Sequence, residues 1–277
     1  MFRFHTACGL ACALLLAAST ARAQNKWGDL KGRFVLDGDP PARVELDVNK
    51  DQEVCAKQKI YSEDLVVGED KGIANVFIYL VLERNQKIAI HPDYEATASE
   101  ERVLDNVNCH FVPHAQVVRL SQTLVLKNSD PVAHNSKIDP LGDTPTNPLI
   151  PAGGQVPWQF KKAQGLPQTV TCSIHGWMKA WVLPIDHPYA AVSGPDGSFE
   201  IKNLPVGEHT FQIWQERSGY LMGAAQQKDG KLVLSVKPKT AATKVTKKSA
   251  QVKLKIAEGV NDVGQEIKVS VSYFQGR

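Results

Sequence analysis

A chain of 277 residues, 43% of them apolar, is long enough for one large or two modest cored domains at roughly 100–200 residues each. Its 32 basic and 29 acidic side chains leave a formal charge of only +3, which implies no nucleic-acid partner. The sequence has no glycine-rich phosphate loop, nucleophile elbow or solenoid repeat, so nucleotide chemistry and repeat architectures find no support.

In chain order, the first residues read as a secretory signal. Met1-Phe2-Arg3-Phe4-His5 gives a basic start, residues 8–18 a short apolar run, and Ala21-Arg22-Ala23 a small-x-small cleavage site. The run is well under the roughly 20 residues that cross a bilayer, so no membrane span is expected once residues 1–23 are removed. Gly9-Leu10-Ala11-Cys12 invites a lipoprotein reading, but a cut there would leave almost no apolar segment upstream. An exported location, in the periplasm or cell envelope, is the expectation. Signal removal takes Cys8 and Cys12 and leaves Cys55, Cys109 and Cys172, an odd set. In an oxidising compartment two thiols tend to pair, and the third either bridges to another chain or is kept free for a purpose.

Strand signals follow at residues 30–36, 74–82 and 115–127, short β-branched or aromatic runs punctuated by Gly, Pro, Asn and Asp. They predict an all-β protein. Only residues 49–58 and 93–104 read as helical turns, because polar residues and good helix formers replace the alternation there. The texture changes near His187-Pro188. Residues 190–201 read as strand, turn, strand, with Pro195-Asp196-Gly197 supplying the turn. Leu204-Pro205-Val206-Gly207 is a second turn, and residues 209–214, 231–237 and 267–273 are further strands. Lys237, Lys239, Lys244, Lys247 and Lys248, interleaved with Thr, Ala and Ser, read as a solvated loop.

The sharpest chemical signal is Thr171-Cys172-Ser173-Ile174-His175-Gly176-Trp177-Met178, preceded by Asn128-Ser129-Asp130-Pro131-Val132-Ala133-His134-Asn135. His134, Cys172, His175 and Met178 together supply two imidazoles, a thiolate and a thioether. Two His and a Cys in a plane with a weak axial Met are the donors of a blue-copper site. Cys172, His175 and Met178 fall on one loop between two strands, while His134 follows the strand 123–127, so one ion would tie two strand ends together. Asn135 can hydrogen-bond across the loops or to the sulfur, and Trp177 can shield the site or offer a contact surface. The bland alternative is a buried free cysteine acting as a small hydrophobe. Against it, Met178 and Met222 are the only methionines beyond the signal, and one of them stands three residues past His175. His110 and His114 could form an auxiliary site or line the ion, although hydrogen-bonded or surface histidines are commoner.

The Cys-x2-His-x2-Met loop with the upstream His134-Asn135 pair resembles the cupredoxins, and among them the amicyanin-like members. The resemblance covers residues 115–186 well and 24–114 loosely. It implies one copper ion cycling between Cu(I) and Cu(II), and no catalytic residue. Asp196-Gly197-Ser198-Phe199-Glu200-Ile201 and Leu204-Pro205-Val206-Gly207 resemble the carboxypeptidase regulatory-like domain, a β-sandwich grouped with carbohydrate-binding-like folds. The combination is similar to exported bacterial proteins labelled by analogy with methylamine utilisation or a rhamnogalacturonan-lyase domain. Gln215 stands where that family usually has His, and Gly176 where Pro is usual. The expected organisation is a cupredoxin-like Greek-key sandwich over residues 24–186 followed by a small regulatory-like sandwich over 187–277. With Cys172 kept as free thiolate, Cys55 and Cys109 are expected to form a disulfide.

These readings favour a carrier of single electrons that exchanges them with an exported redox partner. One rival is a scaffold in which residues 187–277 contact a glycan or another protein and the copper site is structural or vestigial. A copper store or chaperone is another. Enzymes are least supported: no acid-base constellation suits a lyase, and a four-ligand site has no open position for an oxidase.

Overall fold

The structure, a computed structural model, describes residues 26–228, 231–240, 244–264 and 266–275. The expected signal at residues 1–23 lies outside the described residues. Among the described residues no helix is long and apolar enough to cross a membrane.

The chain is all-β, and among the described residues helical turns are confined to Gln52–Cys55, Pro92–Tyr94 and Val271–Tyr273. The first lies within the expected turn at 49–58. The expectation for residues 93–104 is corrected: only Pro92–Tyr94 is helical, and Glu101–Val107 is a strand paired in parallel with Thr123–Asn128. Its charged residues mimic a helix surface, but Leu104 and Asn106 recur at the strand period and are fully buried. The run at 115–127 divides into strands Ala115–Arg119 and Thr123–Asn128, which join different sheets. Between them the Gln122 side chain accepts from the Arg119 amide at 2.9 Å, closing the turn.

Two four-stranded sheets make the half that carries Cys172. One runs in the order Gln155–Trp158, Thr123–Asn128, Glu101–Val107, His110–Val112, and the other Ala115–Arg119, Lys179–Ile185, Gln168–Thr171, Lys137–Ile138. Leu104, Phe111, Leu124, Leu126, Val170 and Val182 fill one apolar core that also contains Cys172 and Met178.

The other half contains a sheet in the order Ala190–Val192, Phe77–Leu80, Gly207–Gln215, Gly219–Leu221, with Gln251–Ile256 also paired to Gly207–Gln215. Facing it, Trp27–Asp37 is flanked by Ser198–Pro205, Gly259–Asp262 and Ile267–Ser270. Strand pairing therefore does not follow the expected boundary at 186/187. Trp27–Asp37 and Phe77–Leu80 precede the strands of the Cys172 half in sequence but hydrogen-bond to strands that follow them. The cause is apolar: Phe34, Ile78 and Leu80 are buried in one core with Phe211, Ile213 and Leu254. The turn at 195–197 shows how closely these segments meet. Gly197 has φ +81°, and a Cβ there would lie 2.2 Å from the Phe34 carbonyl oxygen, so only glycine fits.

A third apolar group, Phe77, Tyr79, Ala115, Leu183, Ile185 and Trp214, joins the halves. Trp181 of one and Trp214 of the other approach to 4.6 Å between centroids at 59°. Such aromatic pairs contribute about 0.5–1.5 kcal/mol beyond the area they bury.

Candidate metal centre

Strands Gln168–Thr171 and Lys179–Ile185 pair antiparallel with Thr171 opposite Lys179, so residues 172–178 form the loop that connects them. The Met178 amide donates to the His175 carbonyl at 2.9 Å, folding the loop back on itself. His134 enters from the short strand His134–Asn135, paired with Leu149–Ile150. Hydrogen-bonded strands thus fix both ends of the centre, which limits the freedom of its side chains.

His134, Cys172 and His175 are brought together: their donor atoms all lie within 4.8 Å of one another, and all three residues are buried. The two imidazoles are 4.5 Å apart between centroids. Cys172 Sγ lies 3.7 Å from His175 Nδ1 and accepts from the His175 amide at 3.4 Å. Met178 is buried in the same core as Cys172. Asn135 Oδ1 accepts from the amides of Ser173 at 2.8 Å and Ile174 at 3.3 Å and lies 3.4 Å from Cys172 Sγ, so it holds the loop just after the cysteine. The Trp177 ring is 5.1 Å from His175, and its indole donates to the Cys109 carbonyl at 3.2 Å.

Each histidine has one nitrogen committed and the other turned inward. His134 Nε2 is 2.9 Å from Asp130 Oδ2, and His175 Nε2 is 2.8 Å from Asp51 Oδ2. His134 Nδ1 is buried and has no hydrogen-bond partner among the described residues. An unpaired buried imidazole nitrogen costs free energy unless something binds it. Burial pushes the His134 pKa down, and the neighbouring His175 adds to that, so its imidazole is neutral with a lone pair to give. The donors present, two buried imidazoles beside a buried free cysteine, fit a copper ion.

Cys55 and Cys109 form a disulfide with a Cα separation of 5.4 Å, leaving Cys172 as the free cysteine of the described chain. A second cluster, Cys109, Asp130 and His134, lies within the same donor spacing, but the Cys109 sulfur is consumed by that disulfide.

His114 is not in either donor group. Its Nε2 is 2.7 Å from Glu216 and its Nδ1 3.4 Å from Glu63, and Lys179 reaches Glu216 at 3.2 Å. Burial opposes charge on His114, but the hydrogen bond with Glu216 and the facing Glu63 outweigh it and push the pKa up to about 9. A protonated imidazole donates from both nitrogens and binds no metal. His110 Nδ1 is spent on the Asn108 carbonyl at 2.9 Å. A cavity of about 250 Å³ between these groups is lined by His110, His114, Glu63, Trp177 and Met178. A wider groove of about 750 Å³ on the other half, lined by Lys31, Arg33, Phe199 and Glu266, shares no residue with the centre.

Sequence reasoning missed both carboxylates. Asp130 precedes His134 by one helical-turn spacing inside the motif already quoted, a signal that was present. Asp51 is 124 residues from His175 and sits where an acidic helix cap is expected, so nothing local marks it.

No protein-family model matches the sequence, and no curated protein matches it. Among solved structures, the chain is similar to the Cu-containing nitrite reductase from Thermus scotoductus SA-01 at 20% identity and TM-score 0.28, over 37% of this chain and 24% of that one. The chain thus spans about a quarter of that reductase. A reduced Cu(I) form of an amicyanin mutant matches at 19% identity and TM-score 0.28, over 31% of this chain and 84% of that one. The purple cupredoxin from Nitrosopumilus maritimus matches at 19% identity and TM-score 0.26, over 30% of this chain and 97% of that one. What the centre can do follows from its own donors.

Proposed function

We propose that this chain is an exported single-copper protein that carries electrons, with the ion held by His134, Cys172 and His175 and capped weakly by Met178. The observation that carries the reading is the pairing of a buried, partnerless His134 Nδ1 with the buried free Cys172 and His175 within 4.8 Å. When bound, copper supplies reversible one-electron chemistry, favoured by a donor set that suits both of its charges. The residues do the rest. Backbone pairing on both sides of the loop 172–178 and at His134 limits how far the donors move when the charge changes. The His175 amide donates to the sulfur, and Asn135 holds the loop just after it by accepting from the Ser173 and Ile174 amides. The surrounding Leu, Val and Phe side chains exclude water, so a store that must release its metal is less well matched than a carrier that keeps it.

The test is copper titration of the metal-free protein followed by voltammetry. The reading expects one ion per chain and a reversible one-electron wave. Binding without reversible cycling would favour the store or structural site instead.

A further inference from the structure

The outer nitrogens of both candidate ligand histidines end on carboxylates, and the two carboxylates belong to segments tied together by one disulfide. Asp130 accepts from the amides of Asn108 at 2.6 Å and Cys109 at 2.8 Å while it receives His134 Nε2 at 2.9 Å. Asp51 stands at left-handed φ 47°, ψ 42° directly before the helix Gln52–Cys55. Its carbonyl accepts the amides of Val54 and Cys55, both at 2.9 Å. Its carboxylate makes no capping bond to that helix, although aspartate at this position ordinarily does, and reaches His175 Nε2 instead. The path therefore runs from His134 through Asp130 to Cys109, across the sulfur bridge to Cys55, and through Asp51 to His175. Cys109 adds one more tie, because its carbonyl receives the indole of Trp177, which packs against His175.

We propose that Asp51, Asp130 and the Cys55–Cys109 disulfide form one brace of positioning groups that fixes the Nε2–H tautomer of both His134 and His175 and so turns both Nδ1 atoms toward Cys172. A neutral imidazole carries a single N–H, and a carboxylate at Nε2 selects the form that leaves the Nδ1 lone pair inward. The same carboxylates make the imidazoles stronger donors, which favours the higher charge of a bound ion and lowers its reduction potential. This deepens the copper reading and rests on it for the potential, but the tautomers are a property of the metal-free chain.

The experiment uses the whole protein in two states. In the metal-free state, two-bond proton–nitrogen NMR spectra of the imidazoles report the tautomers; in the copper-loaded state, voltammetry reports the potential. Wild type should show both histidines in the Nε2–H form. Asp51→Gly, which tolerates the left-handed backbone, should lose the single form at His175 and keep it at His134. Cys55→Ala combined with Cys109→Ala, which leaves no stray thiol near His134, should lose it at both. Asp51→Asn keeps an acceptor oxygen and removes the charge, so it should keep the His175 tautomer yet raise the potential, a change that a packing role would not produce. Unchanged tautomers in folded Asp51→Gly overturn the proposal, and that variant decides alone if the double-cysteine variant fails to fold. Correct tautomers in a chain that binds no copper would remove the copper reading and leave the brace standing.

Discussion

Met178 and His114 line one cavity and answer to different physics. Met178 offers a neutral thioether, so as the axial donor proposed above it would tune the ion more than hold it. Met178→Leu should therefore keep a coloured copper site and shift its reduction potential, whereas His175→Ala should weaken copper affinity, with titration and voltammetry separating the two. His114 is a charged latch between Glu63, Glu216 and Lys179. With a folded pKa of about 9 against an ordinary 6.5, its contribution to stability is full below pH 6.5 and is lost as pH rises through 9. Denaturation should show wild type losing on the order of 3 kcal/mol across that window, and Glu216→Gln should flatten most of the slope. At this scale the sequence put His134, Cys172, His175 and Met178 forward as candidates, because each is a rare residue type in a short motif, and the folded chain brings the donor atoms of His134, Cys172 and His175 together. Asp51 stayed hidden: an aspartate before Gln52–Cys55 reads as an ordinary cap, and only the folded chain brings it to a histidine 124 residues away.

Among elements, the segment from residue 44 to residue 62 packs Leu46, Val48, Val54, Cys55 and Ile60 into or against the core of the Cys172 half. Leu46 and Ile60 share one backbone hydrogen bond of 2.8 Å, and the helix at Gln52–Cys55 is a single turn. Such a turn does not persist without tertiary support. The Cys55–Cys109 bridge adds a covalent anchor to that packing, and replacing both cysteines by alanine should cost about 2–5 kcal/mol in chemical denaturation. Leu104→Ala should cost a similar amount, about 2–5 kcal/mol, through the cavity left between the two sheets. Leu104 also marks where sequence reading failed. Glu100, Glu101 and Arg102 give residues 93–104 a helical surface, and the parallel pairing with Thr123–Asn128 that decides otherwise is long-range. The turns at Pro195-Asp196-Gly197 and Val206 were legible because their chemistry is local.

For the whole molecule, the chain visits the Cys172 half at residues 44–62, returns for Phe77–Leu80, builds the sheets of the Cys172 half, and returns again at Ala190–Val192. All-β character was readable from composition and alternation, but this return was not, since no motif records which distant strand a strand will join. A fragment of residues 24–186 strips Trp27–Asp37 and Phe77–Leu80 of their partners and exposes Phe34, Ile78 and Leu80. Unpaired apolar strand edges promote association. Sedimentation should find that fragment self-associated, while the full chain stays dispersed; a monomeric, proteolysis-resistant fragment would show that the halves separate cleanly. The central claim, a copper ion bound through a cysteine thiolate, is tested most directly by the visible absorption spectrum of the copper-loaded protein beside that of Cys172→Ser. The account predicts an intense visible band in the wild type that is lost in the serine variant. A copper-bound wild type without that band, or a band that survives in Cys172→Ser, would contradict it.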